Sequence, residues 1–181
     1  NDGITVFGQD LTWAEVCVIL RYPFSALGLK KQSEKAFDLT AGYMGTRSGV
    51  NNKVDAFCHA IWNVVMAKEG WGKKSTKMAW DRDFATAHEK GGNYRSKDSE
   101  MDLHNNAVGL LYYDRHSSRT YRRFLWWQWE CGVNEPSYEQ VGNYLKNKAN
   151  SATFVDEKQS LDAVKKGISR VPSGNLVYLQ K

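Results

Sequence analysis

Apolar residues recur every three or four positions along most of the chain, and glycine, proline and asparagine interrupt them at short intervals. This spacing predicts amphipathic helices rather than strands. The predicted helices cover residues 13–21, 31–43, 53–68, 76–89, 100–113, 118–131 and 138–148. Short strands are expected at residues 4–7, 152–155 and 176–179, the last two flanking a short helix at 161–166. The expected fold class is mainly α: a single compact helical domain of about six to seven helices with short β segments at the termini.

The boundaries of the predicted helices follow from known start and stop signals. Thr12 and Glu15 have the spacing of a capping box, and Pro23 ends or kinks the helix that follows them. No linker or internal repeat divides the sequence, so residues 1–181 are expected to form one domain. Its helical core is expected at about residues 10–155, with a C-terminal extension at 156–181.

The helix at residues 53–68 is apolar nearly all round, which is typical of a buried helix. Asp55, His59 and Asn63 nevertheless recur along it every four residues and form one polar stripe. Burying three polar side chains is costly unless each finds a partner. One interpretation is the floor of a functional site, with His59 as a metal ligand or general base that Asp55 orients. The other is a satisfied core network that ties this helix to a neighbour.

Two further segments carry polar residues of the same kinds. His88 and Glu89 are adjacent near the end of a helix, where they offer an imidazole and a carboxylate from one turn. A His⁺ that interacts with the helix dipole explains the same pair without any function.

In the next helix, Asp102, Asn105, Asn106 and Gly109 share one face. Two successive asparagines are poor helix formers, so their side chains are expected to make specific contacts. Gly109 permits close approach of another backbone or a ligand. His104 falls on a different face of this helix, and its place in the site stays open.

If these three helices converge, their polar residues form one site. The candidate catalytic residues are Asp55, His59, His88, Glu89 and Asp102. The candidate substrate-binding residues are Trp62, Asn63, His104, Asn105 and Asn106. The candidate ligands of a divalent metal (Zn, Mn, Ni or Mg) are His59, His88, Glu89 and Asp102. Without a metal, His59 held by Asp55 is the expected general base, and no cofactor is needed.

These three segments, 55–63 (DAFCHAIWN), 87–89 (AHE) and 101–109 (MDLHNNAVG), resemble the ordered motifs of an uncharacterised bacterial domain family. Its members occur at the C-termini of large secreted, repeat-bearing or polymorphic-toxin-type proteins, and as small secreted proteins. This chain has Cys58 and Leu110 where the family usually has arginine. The resemblance implies a mostly helical fold, secretion or delivery to a target cell, and an immunity or carrier protein as a partner.

The segment 119–129 (RTYRRFLWWQW) interleaves basic and aromatic residues. On a helix, Tyr121, Leu125, Trp126 and Trp129 are expected in the core, with the arginines facing water. The same composition also suits binding to phosphates and bases, or to a lipid interface.

Composition narrows the function classes. The net charge of +5 favours an anionic partner such as nucleic acid, lipid headgroups or a cell-wall polymer. No stretch is apolar enough for a transmembrane segment, and no phosphate-binding loop, nucleophile elbow or HExxH motif occurs. Cys17, Cys58 and Cys131 lack metal-finger spacing, and whether any of them form a disulfide stays open. Cys17 and Cys58 are expected to be buried thiols.

Three functions fit these observations. The first is a secreted or delivered toxin-type hydrolase, with phosphodiesterase activity on nucleic acid or phospholipid as the expected reaction. The second is a non-enzymatic binding module for an anionic ligand, a cell wall or a membrane surface. The third is a structural polar network without catalysis.

Overall fold

The computed structural model of the chain describes residues 4–6, 9–91 and 96–180. Eight helices and six short strands occur in this part of the chain. The helices are α1 (Trp13–Arg21), α2 (Pro23–Ala26), α3 (Leu29–Met44), α4 (Lys53–Glu69), α5 (Lys74–Gly91), α6 (Lys97–His116), α7 (Tyr138–Asn150) and α8 (Leu161–Ser169). The strands are β1 (Ile4–Val6), β2 (Gln9–Leu11), β3 (Ser118–Phe124), β4 (Trp127–Asn134), β5 (Thr153–Asp156) and β6 (Val177–Gln180).

The mainly α fold class is confirmed, and most predicted helices agree with the structure to within about three residues. The capping box at Thr12 and Glu15 is present at the start of α1. The short helix α2 begins at Pro23 and lies outside the predicted set. Phe7, which the sequence placed in the first strand, lies outside the described residues.

Helix α4 is the centre of the fold, with α3, α5, α6 and α7 packed around it. Its apolar side chains are fully buried at Phe57, Ile61, Val64, Val65 and Met66. Such a helix is buried along most of its length, as its continuous apolar composition predicts. Asp55, His59 and Asn63 are buried or partly buried on α4, so they need partners within the protein.

The C-terminal residues cover one side of α6. Strands β5 and β6 pair in parallel, and α8 lies between them in sequence. Asn105 on α6 joins this unit through both ends of its amide, because Nδ2 donates to the carbonyl of Val177 and Oδ1 accepts from the Val177 N–H, each at 2.9 Å. The amide thus supplies the hydrogen-bond partners that a neighbouring strand would otherwise give to Val177 at the edge of β6.

The helix predicted at residues 118–131 is wrong, because β3 and β4 form an antiparallel hairpin there. Thr, Tyr, Phe, Trp and Val favour extended structure, and their strand propensity prevails over the helical spacing of the aromatic residues. The tight turn places Leu125 at a φ of 52°, a value that the first position of a two-residue hairpin loop requires and that glycine usually supplies. The expected core positions Tyr121, Leu125, Trp126 and Trp129 are all exposed.

None of the helices in the described ranges is long and apolar enough to span a membrane. All three cysteines are free thiols. Cys58 is partly buried, whereas Cys17 is exposed, so the expected burial of Cys17 is wrong. Cys17 lies on the solvent side of α1, which is only nine residues long and covers little surface.

Candidate functional site

The polar stripe predicted on α4 lies against the N-terminal half of α6. Gly109 makes this contact possible, since a Cβ at this position would stand only 2.1 Å from the carbonyl oxygen of Ala60 on α4. Backbones that approach so closely leave no room for any side chain but hydrogen. The close crossing places Asn106 of α6, one turn before Gly109, directly beside the stripe.

Asn63, Asn106 and His59 form one hydrogen-bonded group. Asn63 Nδ2 donates to Asn106 Oδ1 at 2.7 Å and to the backbone oxygen of His59 at 2.9 Å. His59 Nδ1 lies 3.2 Å from the same Asn106 oxygen. Both asparagines are almost completely buried, at 1% and 4% exposure, and each is satisfied by these contacts.

This group determines which nitrogen of neutral His59 carries the proton. Asn106 Nδ2 faces Oε1 of Glu89 at 3.4 Å, so its NH₂ group points to the carboxylate and its oxygen points to His59. An amide oxygen can only accept, so Nδ1 of His59 carries the hydrogen. The lone pair of the neutral ring therefore lies on Nε2.

Nε2 of His59 faces two carboxylates. It lies 3.4 Å from Oδ1 of Asp102 and 3.7 Å from Oδ1 of Asp55. These separations are too long for hydrogen bonds. One ligand atom from each of Asp55, His59 and Asp102 lies within 4.8 Å of the others, which makes the three residues a group able to hold a metal ion.

Several carboxyl groups lie close together in this group, and the pKa values of two of them are raised. Burial, together with Glu89, Asp55 and Asp98, raises the pKa of Asp102 to about 9. Burial also raises the pKa of Asp55, although His59 and the backbone of Asn51 act in the opposite direction. Oδ1 of Asp102 is buried and has no hydrogen-bond partner among the described residues. The site therefore favours a cation or a proton between these carboxylates.

Sequence reasoning missed two residues that complete the group. The Asn51 N–H donates to Oδ2 of Asp55 at 2.7 Å, and Asn51 Nδ2 donates to Oδ1 of Asp98 at 2.9 Å. Asn51 has a φ of 55° and is 2% exposed, an unusual combination for a loop residue. Asparagine tolerates this backbone region better than most residues, which is the signal that the sequence contained.

His88 lies beside the acidic group rather than within it. Its Nδ1 is 2.8 Å from Oε1 of Glu15, the same glutamate that caps α1. The hydrogen bond to Glu15 raises the pKa of His88, and the ring is half exposed. His88 also contacts Trp62, with ring centroids 5.3 Å apart.

A cavity of about 320 Å³ opens onto these groups. It is lined by Ser33, Ala36, Phe37, Ser48, Asp55, Cys58, His59, Trp62 and His88. A smaller cavity of about 260 Å³ shares Ser33, Trp62 and His88 with it. Trp62 lines both cavities, whereas its Nε1 is buried and has no hydrogen-bond partner within the described ranges.

A second cavity of about 320 Å³ lies along α5 and α6. Asn63 and Asn106 line it, but most of its other lining residues are apolar, and it includes none of Asp55, His59 or Asp102. The cavity that contains His59 is therefore the better candidate for a reaction site, because it combines titratable groups with space for a ligand.

Two of the candidate residues do not join the site. Nε2 of His104 lies 2.8 Å from the carbonyl oxygen of Asn175, on the side of α6 that faces the C-terminal unit. Asn105 is fully buried against the same unit, where its amide forms hydrogen bonds with the backbone of Val177. Asn105 was expected on one face with Asp102 and Asn106, but it points to the C-terminal unit, and the structure gives both it and His104 backbone partners instead.

Cys58 lines the cavity but is a poor nucleophile. Burial raises the pKa of its thiol to about 11, since the thiolate would lose its hydration there. At neutral pH the residue is a neutral thiol, and Thr40 is its side-chain hydrogen-bond partner.

The chain is similar to known proteins in two respects. Residues 16–129 match the profile of a family described as "Domain of unknown function (DUF6973)". No curated protein matches the chain. Its fold is similar to that of a chain in the structure of human WLS in complex with WNT8A, with a TM-score of 0.57 and 17% identity over 93% of this chain and 73% of that chain. At this identity the likeness concerns the fold alone.

The family match spans all three segments that carry the polar residues. It confirms a shared domain over more than half of the chain, which is the coarser part of the resemblance noted from the sequence. The family description makes no statement about toxins or secretion, so these associations stay predictions.

Proposed function

The chain belongs to the DUF6973 family, a domain of unknown function, and we propose that it is a metal-dependent hydrolase that cleaves a phosphodiester bond. Asp55, His59 and Asp102 are the proposed ligands. The set predicted from sequence shared His59 and Asp102 with this one but named His88 and Glu89 in place of Asp55. Oxygen and imidazole ligands of this kind suit Zn²⁺, Mn²⁺ or Ni²⁺.

One observation carries this proposal. The lone pair of His59 Nε2 faces two carboxyl oxygens at 3.4 and 3.7 Å, which is repulsive unless a cation or a proton lies between them. A divalent ion bonded at about 2.0–2.2 Å to each ligand fits between atoms separated by these distances. Asn106 supports the arrangement from outside by holding the proton on Nδ1.

A metal with three protein ligands keeps positions open for water and substrate. The ion would supply a nucleophilic hydroxide and neutralise charge on the phosphoryl oxygens. Glu89, whose Oε1 lies 3.6 Å from His59 Nδ1, belongs to the supporting side of the ring rather than to the ligand side.

The mouth of the cavity fits an anionic substrate with an aromatic or apolar part. The hydrogen bond to Glu15 raises the pKa of His88 and so favours the protonated imidazole, whose Nε2–H can donate to a phosphoryl oxygen. Trp62 and Phe37 offer an apolar surface in the lining of the cavity. These groups suit a phosphodiester in nucleic acid or phospholipid. Secretion or delivery to a target cell, and an immunity or carrier partner, belong to the same proposal.

Metal binding provides the direct test. Calorimetric titration of the chelator-treated protein with Zn²⁺, Mn²⁺ or Ni²⁺ is expected to give one bound ion per chain. His59→Ala removes one of three ligands and should weaken binding at least about a hundredfold. The loaded protein should hydrolyse bis(p-nitrophenyl) phosphate, and His59→Ala should not.

His88→Ala is the matched control, because it removes a nearby imidazole that the geometry places outside the ligand group. It should keep full metal affinity and raise the KM for an anionic substrate. Equal loss of metal in both variants would restore the ligand set predicted from sequence. Absence of metal binding in the wild-type protein would contradict the proposal.

Metal-free catalysis is a second candidate, and the pKa of Asp102 favours it. A carboxyl with a pKa of about 9 keeps its proton at neutral pH and can act as a general acid beside His59. Activity that survives chelation would support this mechanism. If the wild-type protein has no activity and the substitutions lower only its stability, the structural network is supported instead. Ligand binding without turnover would support the binding module.

A further inference from the structure

The tip of the β3–β4 hairpin exposes a continuous run of large apolar side chains. Phe124, Leu125, Trp126 and Trp127 are 68%, 62%, 78% and 67% exposed. Single exposed apolar residues are common on protein surfaces, but four in succession at one projecting turn are not. An isolated two-stranded hairpin is also only marginally stable in water, so this one depends on its surroundings.

The two faces of the hairpin differ in character. Phe124 pairs with Trp127 and Arg122 pairs with Trp129, and since side chains alternate, these four residues share one face. The opposite face carries the pairs Arg123–Gln128 and Tyr121–Glu130 and is polar. Both strands are exposed along most of their length, so the aromatic face is not covered.

The base of the hairpin is tied to the helical body. Oε1 of Glu130 accepts from the backbone N–H of Lys74 at 2.7 Å, in the first turn of α5. The Lys74 ammonium lies 2.8 Å from Asp114 and also donates to the carbonyl of Ser117, at the end of α6. These contacts hold the hairpin to the start of α5 and the end of α6, while its tip stays exposed.

We propose that the hairpin docks the protein on an anionic lipid surface, with its aromatic tip inserted at the membrane interface. Tryptophan prefers the interface between hydrocarbon and headgroups, where its ring is buried and its N–H stays hydrated. Arg123 and Arg122 precede Phe124 by one and two residues, so they lie roughly 3–7 Å along the strand from the tip. Their guanidinium groups thus reach phosphate level when the tip is inserted.

Charge selects an anionic lipid surface over a neutral one. The segment from β3 to β4 contains three arginines and one glutamate, a net charge of 3 − 1 = +2. A nucleic acid would need positive charge at the tip, where the chain places only apolar side chains. The apolar tip with Arg123 and Arg122 next to it matches the hydrocarbon and anionic headgroup layers of such a membrane.

This docking does not depend on the proposed reaction. The root of the hairpin at Ser118 lies about 24 Å along α6 from Asp102, at 1.5 Å per residue. The acidic site and the hairpin therefore share no residue. His59→Ala should bind vesicles as the wild type does, so failure of one proposal leaves the other intact.

The test is co-sedimentation with vesicles of phosphatidylcholine alone or mixed with phosphatidylglycerol. The wild-type protein should bind the mixed vesicles, and brominated phosphatidylcholine within them should quench its tryptophan fluorescence. The double variant W126S/W127S should lower the partition coefficient at least about tenfold. The variant R122Q/R123Q should lower it about tenfold on mixed vesicles and leave the neutral vesicles unaffected.

Trp71→Ser is the matched control, because Trp71 is 64% exposed and lies outside the hairpin. It should bind vesicles like the wild type. Failure of the wild type to bind mixed vesicles overturns the proposal, as does equal loss in W71S and in W126S/W127S. Binding of single-stranded RNA to the hairpin without vesicle binding would assign it to nucleic acid instead and also overturn the proposal.

Discussion

Asp102→Asn is expected to abolish phosphodiester hydrolysis and, at the same time, to stabilise the protein. Activity should fall at least about a thousandfold, because asparagine has the same shape but gives the metal ion no negative ligand. Stability of the metal-free protein should rise by on the order of 1–2 kcal/mol, or a few degrees in Tm. Opposite effects on activity and stability are the signature of a functional group rather than a structural one.

The stability gain has a simple electrostatic origin. Asp102 is buried beside Glu89, Asp55 and Asp98, so its charged form is unfavourable in the folded state. Its Oδ1 lacks a hydrogen-bond partner among the described residues. At neutral pH this carboxyl must take up a proton when the chain folds, which costs free energy. A neutral amide of equal size avoids that cost and supplies an N–H that can donate to one of these carboxylates.

The same reasoning gives the direction of the pH dependence. The folded pKa of Asp102, about 9, lies above the value of roughly 3.9 in an unfolded chain. The folded state therefore binds the extra proton, and the stabilising contribution of Asp102 is complete below about pH 4 and declines as the pH rises through about 9. The stability difference between Asp102→Asn and the wild type should widen across that window.

Urea denaturation from pH 5 to 9 in the presence of a chelator measures this difference. Asp38→Asn is the control, since this carboxylate is exposed and pairs only at the surface with Arg47. Its effect should not grow with pH. If Asp102→Asn destabilises the protein at every pH, the carboxylate serves the fold, and the proposed role as a metal ligand loses its support.

Gly109→Ala is expected to destabilise the protein by on the order of 3 kcal/mol, which corresponds to about 6–12 °C in Tm. The new Cβ would stand 2.1 Å from the carbonyl oxygen of Ala60 and 3.0 Å from its Cα. These are backbone atoms of the central helix α4, so α6 must move away as a whole. That movement also separates Asn106 from His59, and metal affinity should fall together with stability.

Gly42→Ala is the matched control for this substitution. Gly42 lies within helix α3, and a Cβ there meets nothing within 4 Å. Because alanine is the better helix former, this variant should be more stable than the wild type by up to about 1 kcal/mol. Thermal unfolding of both variants gives the comparison. A loss below about 1 kcal/mol in Gly109→Ala would show that α4 and α6 are not locked at this crossing.

Much of the site could be predicted from residue spacing on two helices. A helix that is apolar all round predicts its own burial, so Asp55, His59 and Asn63 had to face another polar surface. Asn106 and Gly109 supplied that surface because successive asparagines and a mid-helix glycine are poor choices for a helix without a contact to make. These inferences needed only helical geometry, which is local in sequence.

The remaining features depend on contacts between residues far apart in the chain. The sequence could not show that Glu15 would bond to His88, which turned His88 away from the metal ligands. Nor could it place Asn51 against both Asp55 and Asp98. The spacing of the aromatic residues at 118–131 fits a helix, but their strand propensity and the pairing of β3 with β4 favour the hairpin.

The double hydrogen bond between Asn105 and Val177 bears on where this domain ends. The family match stops at residue 129, yet the amide of Asn105 is satisfied by backbone far beyond that point. A piece cut at residue 129 would remove both partners of this amide and uncover Met101, which packs against the C-terminal unit. It would also lose the Glu130 oxygen that accepts from the first turn of α5. The segment that matches the family is therefore shorter than the segment that must fold together.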